Sequence, residues 1–366
     1  MKKKEKVTLC LAPGPTMFDE RTVRLARLLE QHGFDARTSG VWKDSLQLPL
    51  LKNQFDLLTC PTVVYPCFQK DLVLPKFIHP SLLAGLITKK GQKGEVKTPY
   101  ANVTVPQNAE EGVPATADEF FDWGRKGVFL IPSPERMLEV ILRQFSDDDF
   151  ENQVILITAG PTVEDIDPVR FISNRSSGKM GTALARAAAR RGATVYLVHG
   201  PMTAPIPPCQ NIFPFPVRSA LEMHATVMKL QEDCDIAILC AAVADFQPIE
   251  FTPFKIKKGD SDIFDLKMKR TPDILASLGK LQKRPFLVGF AAETNDVEQN
   301  AQAKLFGKHC DLLCANDISN PKCGFGVDTN ALTVYDKDGT ATAIPNATKE
   351  QVADRLLSLI AQKRQG

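Results

Sequence analysis

Five short segments carry residue types that could do chemistry, and four of them follow or adjoin an apolar run. Thr158-Ala159-Gly160-Pro161-Thr162 comes directly after Val154-Ile155-Leu156-Ile157. A glycine at the carboxyl end of a buried strand lets a ligand approach the backbone, although an ordinary turn would look the same. Asp167-Pro168-Val169-Arg170-Phe171-Ile172-Ser173-Asn174-Arg175-Ser176-Ser177-Gly178-Lys179 leads into a helical pattern. Ser176 and Ser177 are good helix caps, a helix start offers N–H donors, and Arg170, Arg175 and Lys179 add charge. Such a segment suits an anion. A capped helix with solvated basic residues explains its serines, but not the density of Arg, Asn and Gly together.

The third segment, Cys240-Ala241-Ala242-Val243-Ala244-Asp245-Phe246, lies at the carboxyl end of another apolar run. Its small residues leave room for a flat ring, and Asp245 could bind a nucleotide group or Mg²⁺. Lys255-Ile256-Lys257-Lys258 concentrates positive charge, as a charged surface turn also would. Finally, Gly289-Phe290-Ala291-Ala292-Glu293-Thr294 precedes Lys304 and Lys308. That spacing puts both lysines on one helix face, where they could clasp phosphates. No Ser–His–Asp or Cys–His arrangement is apparent.

Alternating strands and helices must position these groups. Apolar strands are expected at 154–158, 194–198, 235–240, 286–290 and 312–315, and helices at 179–191, 219–232, 272–281, 296–308 and 349–362. Continuous apolar strands alternating with helices imply a parallel, doubly wound sheet. A hairpin is expected around Asp338-Gly339. The polar run Ser146–Gln153 reads as a linker between two domains, 1–147 and 151–366. The first domain is less regular. It has a strand at 7–12, a helix at 21–32 and a strand at 56–65, with a long loop at 89–114, and reads as a small α/β domain.

Composition sets the outer limits. The chain has 366 residues, 43% apolar and 24% charged, which favours two globular domains. A net charge of +2 gives no field that would draw nucleic acid or a membrane. The nine cysteines contain no CxxC pair and the five histidines no metal-ligand spacing, so reduced, buried thiols are expected. The apolar run after Met1-Lys2-Lys3-Lys4 is too short for a signal peptide, and no stretch is long enough to cross a membrane. A cytoplasmic location is expected.

In this order, the five segments resemble the phosphopantothenoylcysteine synthetase (phosphopantothenate–cysteine ligase) family from Val154 onward. The Asn-Arg-Ser-Ser-Gly-Lys-Met form and the lysine run resemble its bacterial, CTP-using type. The resemblance implies a Rossmann-like domain in which 4'-phosphopantothenate attacks the α-phosphate of CTP. Cysteine then displaces CMP from the acyl-cytidylate. Asn174 would hydrogen-bond the acyl-cytidylate, and Lys255 would stabilise phosphate charge. Leu239, Cys240, Ala241, Asp245, Pro272, Asp273, Ile274, Leu275, Phe290, Lys304 and Lys308 would hold the nucleotide. Gly160, Arg170 and Ser176, Ser177 and Gly178 would help hold phosphopantothenate. Mg²⁺ is implied with the triphosphate, as is a homo-oligomer formed through the ligase domain.

In bacteria the family's ligase is usually joined to an FMN-dependent decarboxylase, and here the first domain departs from that pattern. Ala12-Pro13-Gly14-Pro15-Thr16 replaces the flavin-phosphate loop, and Lys97-Thr98-Pro99-Tyr100-Ala101-Asn102 is at best a remnant of Pro-Ala-Met-Asn. His79 lacks matching flanks, and no cysteine lies between Cys67 and Cys209. The expectation is therefore a degenerate flavodoxin-like domain without FMN. The alternatives are a divergent bifunctional enzyme and a nucleotide-binding regulatory module without turnover.

Overall fold

The computed structural model describes residues 6–10, 20–32, 35–39, 62–64, 83–84, 95–97, 102–104 and 128–129, single positions between 135 and 143, and 146–365 apart from 210, 258–262, 294–296 and 318–325. Pro13 to Thr16, His79, Thr98 to Ala101 and Lys258 lie outside these residues. The chain divides into two compact units, Met1–Phe145 and Ser146–Gly366.

In the first unit, β1 (Lys6–Cys10) leads to α1 (Glu20–Gln31), β2 (Asp35–Ser39) and β3 (Thr62–Val64). These strands form a parallel sheet in the order β2-β1-β3, with Leu29 of α1 buried. The same order begins a flavodoxin-like sheet. Two short pairs follow. β4 (Leu83–Ala84) runs parallel to β7 (Val128–Phe129), and β5 (Glu95–Lys97) antiparallel to β6 (Asn102–Thr104).

The second unit is built on an eight-stranded sheet. Its strands are β8 (Val154–Ala159), β11 (Thr194–His199), β12 (Ile212–Pro216), β13 (Ile236–Leu239), β16 (Phe286–Glu293), β17 (Leu312–Asp317), β18 (Thr329–Asp336) and β19 (Ala341–Thr348). They lie in the order β12-β11-β8-β13-β16-β17-β18-β19. The six strands from β12 to β17 are parallel, and β18 and β19 add an antiparallel hairpin. In chain order the parallel strands read 3-2-1-4-5-6, the Rossmann arrangement, whose crevice opens where the winding reverses, between β8 and β13.

Helices cover both faces: α2 (Lys179–Arg190), α3 (Ala220–Leu230), α4 (Ile274–Gly279), α5 (Val297–Gly307) and α6 (Lys349–Gln365). Side chains alternate across each strand, so Ile155, Ile157 and Ala159 pack with α2 and α6, while Leu156 packs with the opposite cluster. Alanine gives α2 its helix propensity and its thinness. Ala185, Ala188 and Ala189 are fully or almost fully buried, and a Cβ on Gly181 would lie 2.5 Å from that of Ala159. The helix can therefore sit directly on β8, with its first turn at the crevice.

Two short antiparallel pairs project from this frame. β9 (Val163–Asp165) pairs with β10 (Phe171–Ser173), and β14 (Phe246–Pro248) pairs with β15 (Met268–Arg270).

Candidate active site

A cleft of about 390 Å³ opens at the carboxyl ends of β8, β13 and β16. Main-chain bonds knit its floor. The Ala242 N–H donates to Gly160 O at 2.9 Å, and the Thr162 N–H donates to Ala242 O at 3.3 Å. Thr158 Oγ1 accepts from Ala241 N–H at 3.1 Å, and Thr162 Oγ1 accepts from Ala244 N–H at 3.0 Å. Gly160 has φ +75° and sits 3.0 Å, measured from an added Cβ, from Met202 Cβ. A side chain there would meet both backbone strain and a clash.

Asn174 hangs over this floor from the end of β10. Its Nδ2 donates to Ala242 O at 3.0 Å, and the preceding Ser173 Oγ donates to Thr162 O at 2.8 Å. Ser176, Ser177 and Gly178 then bring the chain to α2, and all line the cleft. The cap of α2 is neither serine but Gly178, in the left-handed region at φ +81°, and no side chain caps that end. Ser176 Oγ reaches only the Gly178 N–H, at 3.4 Å. A Cβ on Gly178 would lie 2.5 Å from Met202 Sδ, so glycine is required there and displaces the serines from the cap position. The first N–H groups of a helix have no partner within it, so this turn faces the cleft as a donor array.

Cys240, Ala241 and Asp245 from the β13 end, Phe290 from β16 and Lys304 from α5 complete the expected residues that line the cleft. Asp245 is exposed, and its main-chain O accepts from Thr271 N–H at 3.0 Å. Burial pushes the Cys240 thiol up to about 12, which leaves it protonated and unsuited to act as a nucleophile. Cys234 and Cys310 are raised to about 12 by the same cause, and Cys209, Cys234, Cys240, Cys310 and Cys314 are free thiols.

Other expected residues are placed elsewhere. Leu239 and Ile274 are core side chains, and Leu275 packs over Gly289. Asp273 caps α4 by accepting from Ala276 N–H at 2.9 Å, and it pairs with Lys308. Lys308 lies beyond the end of α5 at Gly307, so the structure does not bring it to the cleft with Lys304. Pro272, just before the α4 cap, is also absent from the cleft lining. Arg170 pairs with Asp167, donates to Ile256 O at 2.9 Å and lies 5.8 Å from the Phe264 ring centre. Asp167 in turn accepts from the Ile256, Val169 and Arg170 N–H groups. The Arg170 bond and these N–H groups hold the Asp167 carboxyl well below the usual carboxylate range. Lys255 is exposed on the loop that this latch fastens, and it does not line the cleft. Lys179 pairs with Asp328 at 2.6 Å.

Among the cleft residues that escape the sequence reading are Asn316, Asn330 and Lys349. Asn316 follows the apolar strand 312–315, so the rule that points to Gly160 and Ala241 also points to it. Nothing local marks Asn330 or Lys349.

Residues 150–363 match the family described as the DNA/pantothenate metabolism flavoprotein C-terminal domain. The chain belongs to this family. It is 49% identical over 211 residues to the coenzyme A biosynthesis bifunctional protein CoaBC of Vibrio cholerae, covering 57% of this chain and 52% of that protein. The Escherichia coli K12 protein of the same name is 46% identical over 234 residues, covering 63% of this chain and 57% of that one. The chain thus spans about half the length of these relatives. A cysteine/cysteine sulfinic acid decarboxylase from an unknown prokaryotic organism is 36% identical over 331 residues, covering 89% of this chain and 86% of that protein. Among solved structures, the crystal structure of the C-terminal domain of CoaBC is 37% identical, with a TM-score of 0.51. That match covers 60% of this chain and 99% of the domain.

Proposed function

We propose that this member of the family joins 4'-phosphopantothenate to cysteine, activating the carboxylate with CTP. The observation that carries this reading is the convergence of Asn174, the uncapped start of α2, Asp245, Phe290 and Lys304 on one crevice at the winding reversal. In the first step a carboxylate oxygen bonds to the α-phosphorus and pyrophosphate leaves. In the second, the cysteine nitrogen bonds to the acyl carbon and CMP leaves with the electron pair of the broken C–O bond. Such chemistry needs placed donors and positive charge more than a protein nucleophile. Asn174 would donate to the acyl-cytidylate, the α2 start and Gly160 would receive phosphopantothenate, and Phe290 and Lys304 would hold the nucleotide. Lys255 would reach the phosphates from its latched loop.

Asp245 is a single carboxylate at the cleft, which fits an Mg²⁺ that takes its remaining ligands from phosphates and water. When bound, that ion would neutralise triphosphate charge. Among the described residues no group of three or more His, Cys, Asp or Glu is placed to hold a metal on its own.

Val169, Phe171, Phe246, Ile249, Phe251, Phe254, Ile263 and Phe264 are exposed apolar residues on or beside the β9–β10 and β14–β15 pairs. They support a homodimer formed through this unit, which sedimentation analysis would test. Among the described residues no helix is long and apolar enough to cross a membrane.

The reading is tested by mixing the protein with Mg²⁺, 4'-phosphopantothenate and either CTP or ATP, with and without cysteine. Pyrophosphate release that prefers CTP, followed by amide formation when cysteine is added, is expected. Absence of pyrophosphate overturns the ligase and leaves a binding module.

The relative named as a decarboxylase favours a second reading for the first unit. Its match of 331 residues is longer than Ser146–Gly366, so it extends into Met1–Phe145. On that reading the chain also decarboxylates a cysteine derivative, with FMN. A yellow protein that releases CO₂ from the ligase product or from cysteine would establish it. A colourless protein without CO₂ release would leave the first unit as a degenerate flavodoxin-like domain.

A further inference from the structure

One corner of the cleft is used by none of these roles. β17 ends near Asn316, β18 begins beside Asn330 and α6 begins at Lys349, and all three residues line the cleft. Asn330 is 3% exposed, with Nδ2 at 3.7 Å from Met180 Sδ. Its Oδ1 is buried without a hydrogen-bond partner, and so is Oδ1 of Asn316. An unsatisfied buried amide oxygen destabilises the folded state, and two at one corner require an explanation. Each oxygen is an acceptor, to be completed by an N–H or O–H donor. Lys349, 7% exposed, places a cation at the same corner, where it donates to the main-chain O of both Val327 and Thr329. Met180 and Phe290 supply an apolar wall.

Acceptors for an amine, a cation for an acid and a small apolar wall together match an α-amino acid with a short side chain. Resting on the ligase reading, we propose that Asn316, Asn330 and Lys349 form the subsite for the amino-acid substrate. The two asparagine oxygens hold its amine N–H groups, and Lys349 faces its carboxylate. The acceptors are uncharged, which suits the chemistry. A carboxylate in their place would strongly favour the ammonium form, whereas an uncharged amide oxygen orients the amine and favours that form far less. The nitrogen thus keeps the lone pair it needs to bond to the acyl carbon, and its surplus proton passes to solvent as CMP leaves.

The test uses the full chain. With CTP, Mg²⁺ and 4'-phosphopantothenate but no cysteine, Asn330→Leu and Asn316→Leu should release the first pyrophosphate as fast as the unaltered protein. With cysteine present, each should raise the KM for cysteine about tenfold or more, the value of one lost hydrogen bond to an unpaired partner. Both should keep or raise Tm, because each removes an unsatisfied polar group. A second measurement needs no substitution. The unaltered protein should prefer cysteine to cysteamine, which lacks the carboxylate, and Lys349→Met should shrink that preference. The proposal is overturned if cysteamine serves as well as cysteine, or if the variants shift the KM for 4'-phosphopantothenate and leave that for cysteine unchanged. Failure of the unaltered protein to release pyrophosphate would show instead that the ligase reading itself had fallen, and this proposal with it.

Discussion

Asn174 and Lys255 are both expected to serve the reaction, one by a hydrogen bond and one by charge, and they sit in opposite circumstances. Asn174 lines the cleft and is held by Ala242 O at 3.0 Å. Lys255 is exposed, outside the cleft lining, on a loop fastened at Ile256 by Asp167 and Arg170. A group that must meet a carbonyl in one orientation gains from a fixed frame. A cation that meets a polyphosphate needs reach more than aim, because a Lys ammonium acts as a point charge on a long stem. Asn174 is therefore expected to be sensitive to geometry and Lys255 to the attachment of its loop.

The largest effect should come from Asn174→Ala. The complete reaction should slow on the order of 10²-fold or release acyl-cytidylate, the scale of one lost donor at a developing charge. Normal amide formation, followed by chromatography of the product, would remove Asn174 from the chemistry. Lys255→Gln comes next, with pyrophosphate release slowed about tenfold, equal to about 1.4 kcal/mol. An unchanged rate would mean that this lysine never reaches the phosphates.

Asp167→Asn should cost less, about threefold to fivefold, and should act through Lys255. In a double-mutant cycle, its effect should nearly vanish in the Lys255→Gln background. Equal losses in both backgrounds would show that the latch serves some other end. The same variant carries a pH signature. Asp167 is held below its ordinary value in the folded protein, so its stabilising contribution is present above the unfolded value of about 4. That contribution fades as pH falls toward the depressed folded value. The difference in denaturant midpoint between the unaltered protein and Asp167→Asn should be flat from pH 7 to 5 and shrink below pH 4. A gap that widened on acidification would contradict the assigned cause. Smallest in catalytic terms is Gly178→Ala, which should lower stability by about 1 kcal/mol or more through its positive φ and the contact with Met202. An unchanged Tm would show that the turn relaxes freely.

Strong periodicity made the frame readable. Strands such as Val154–Ala159, buried on both faces, announce themselves as unbroken apolar runs, and the rule of carboxyl ends then leads to Gly160, Ala241 and Phe290. What escaped was set by contacts distant in sequence. β12 reads Ile-Phe-Pro-Phe-Pro and looks like a loop, yet it is the edge of the sheet, where proline is tolerated. The three-residue strands β9, β10, β14 and β15 are too short to show a period. Lys304 and Lys308 share a helical spacing, but α5 ends between them and Asp273 draws Lys308 aside. The buried oxygens of Asn316 and Asn330 are orphaned only by what surrounds them in space.

The Ala242 carbonyl has a consequence for how the site is aimed. It accepts from the Thr162 N–H and from Asn174 Nδ2, so both of its lone pairs are occupied. One amide hydrogen of Asn174 is thus committed to the backbone, leaving its other hydrogen and its oxygen to face a ligand. The direction of that amide is indexed to the main chain where β8 and β13 part, as a pointer is keyed to its shaft. The twist between those two strands, a property of the whole sheet, sets the angle at which a single side chain meets the reacting group.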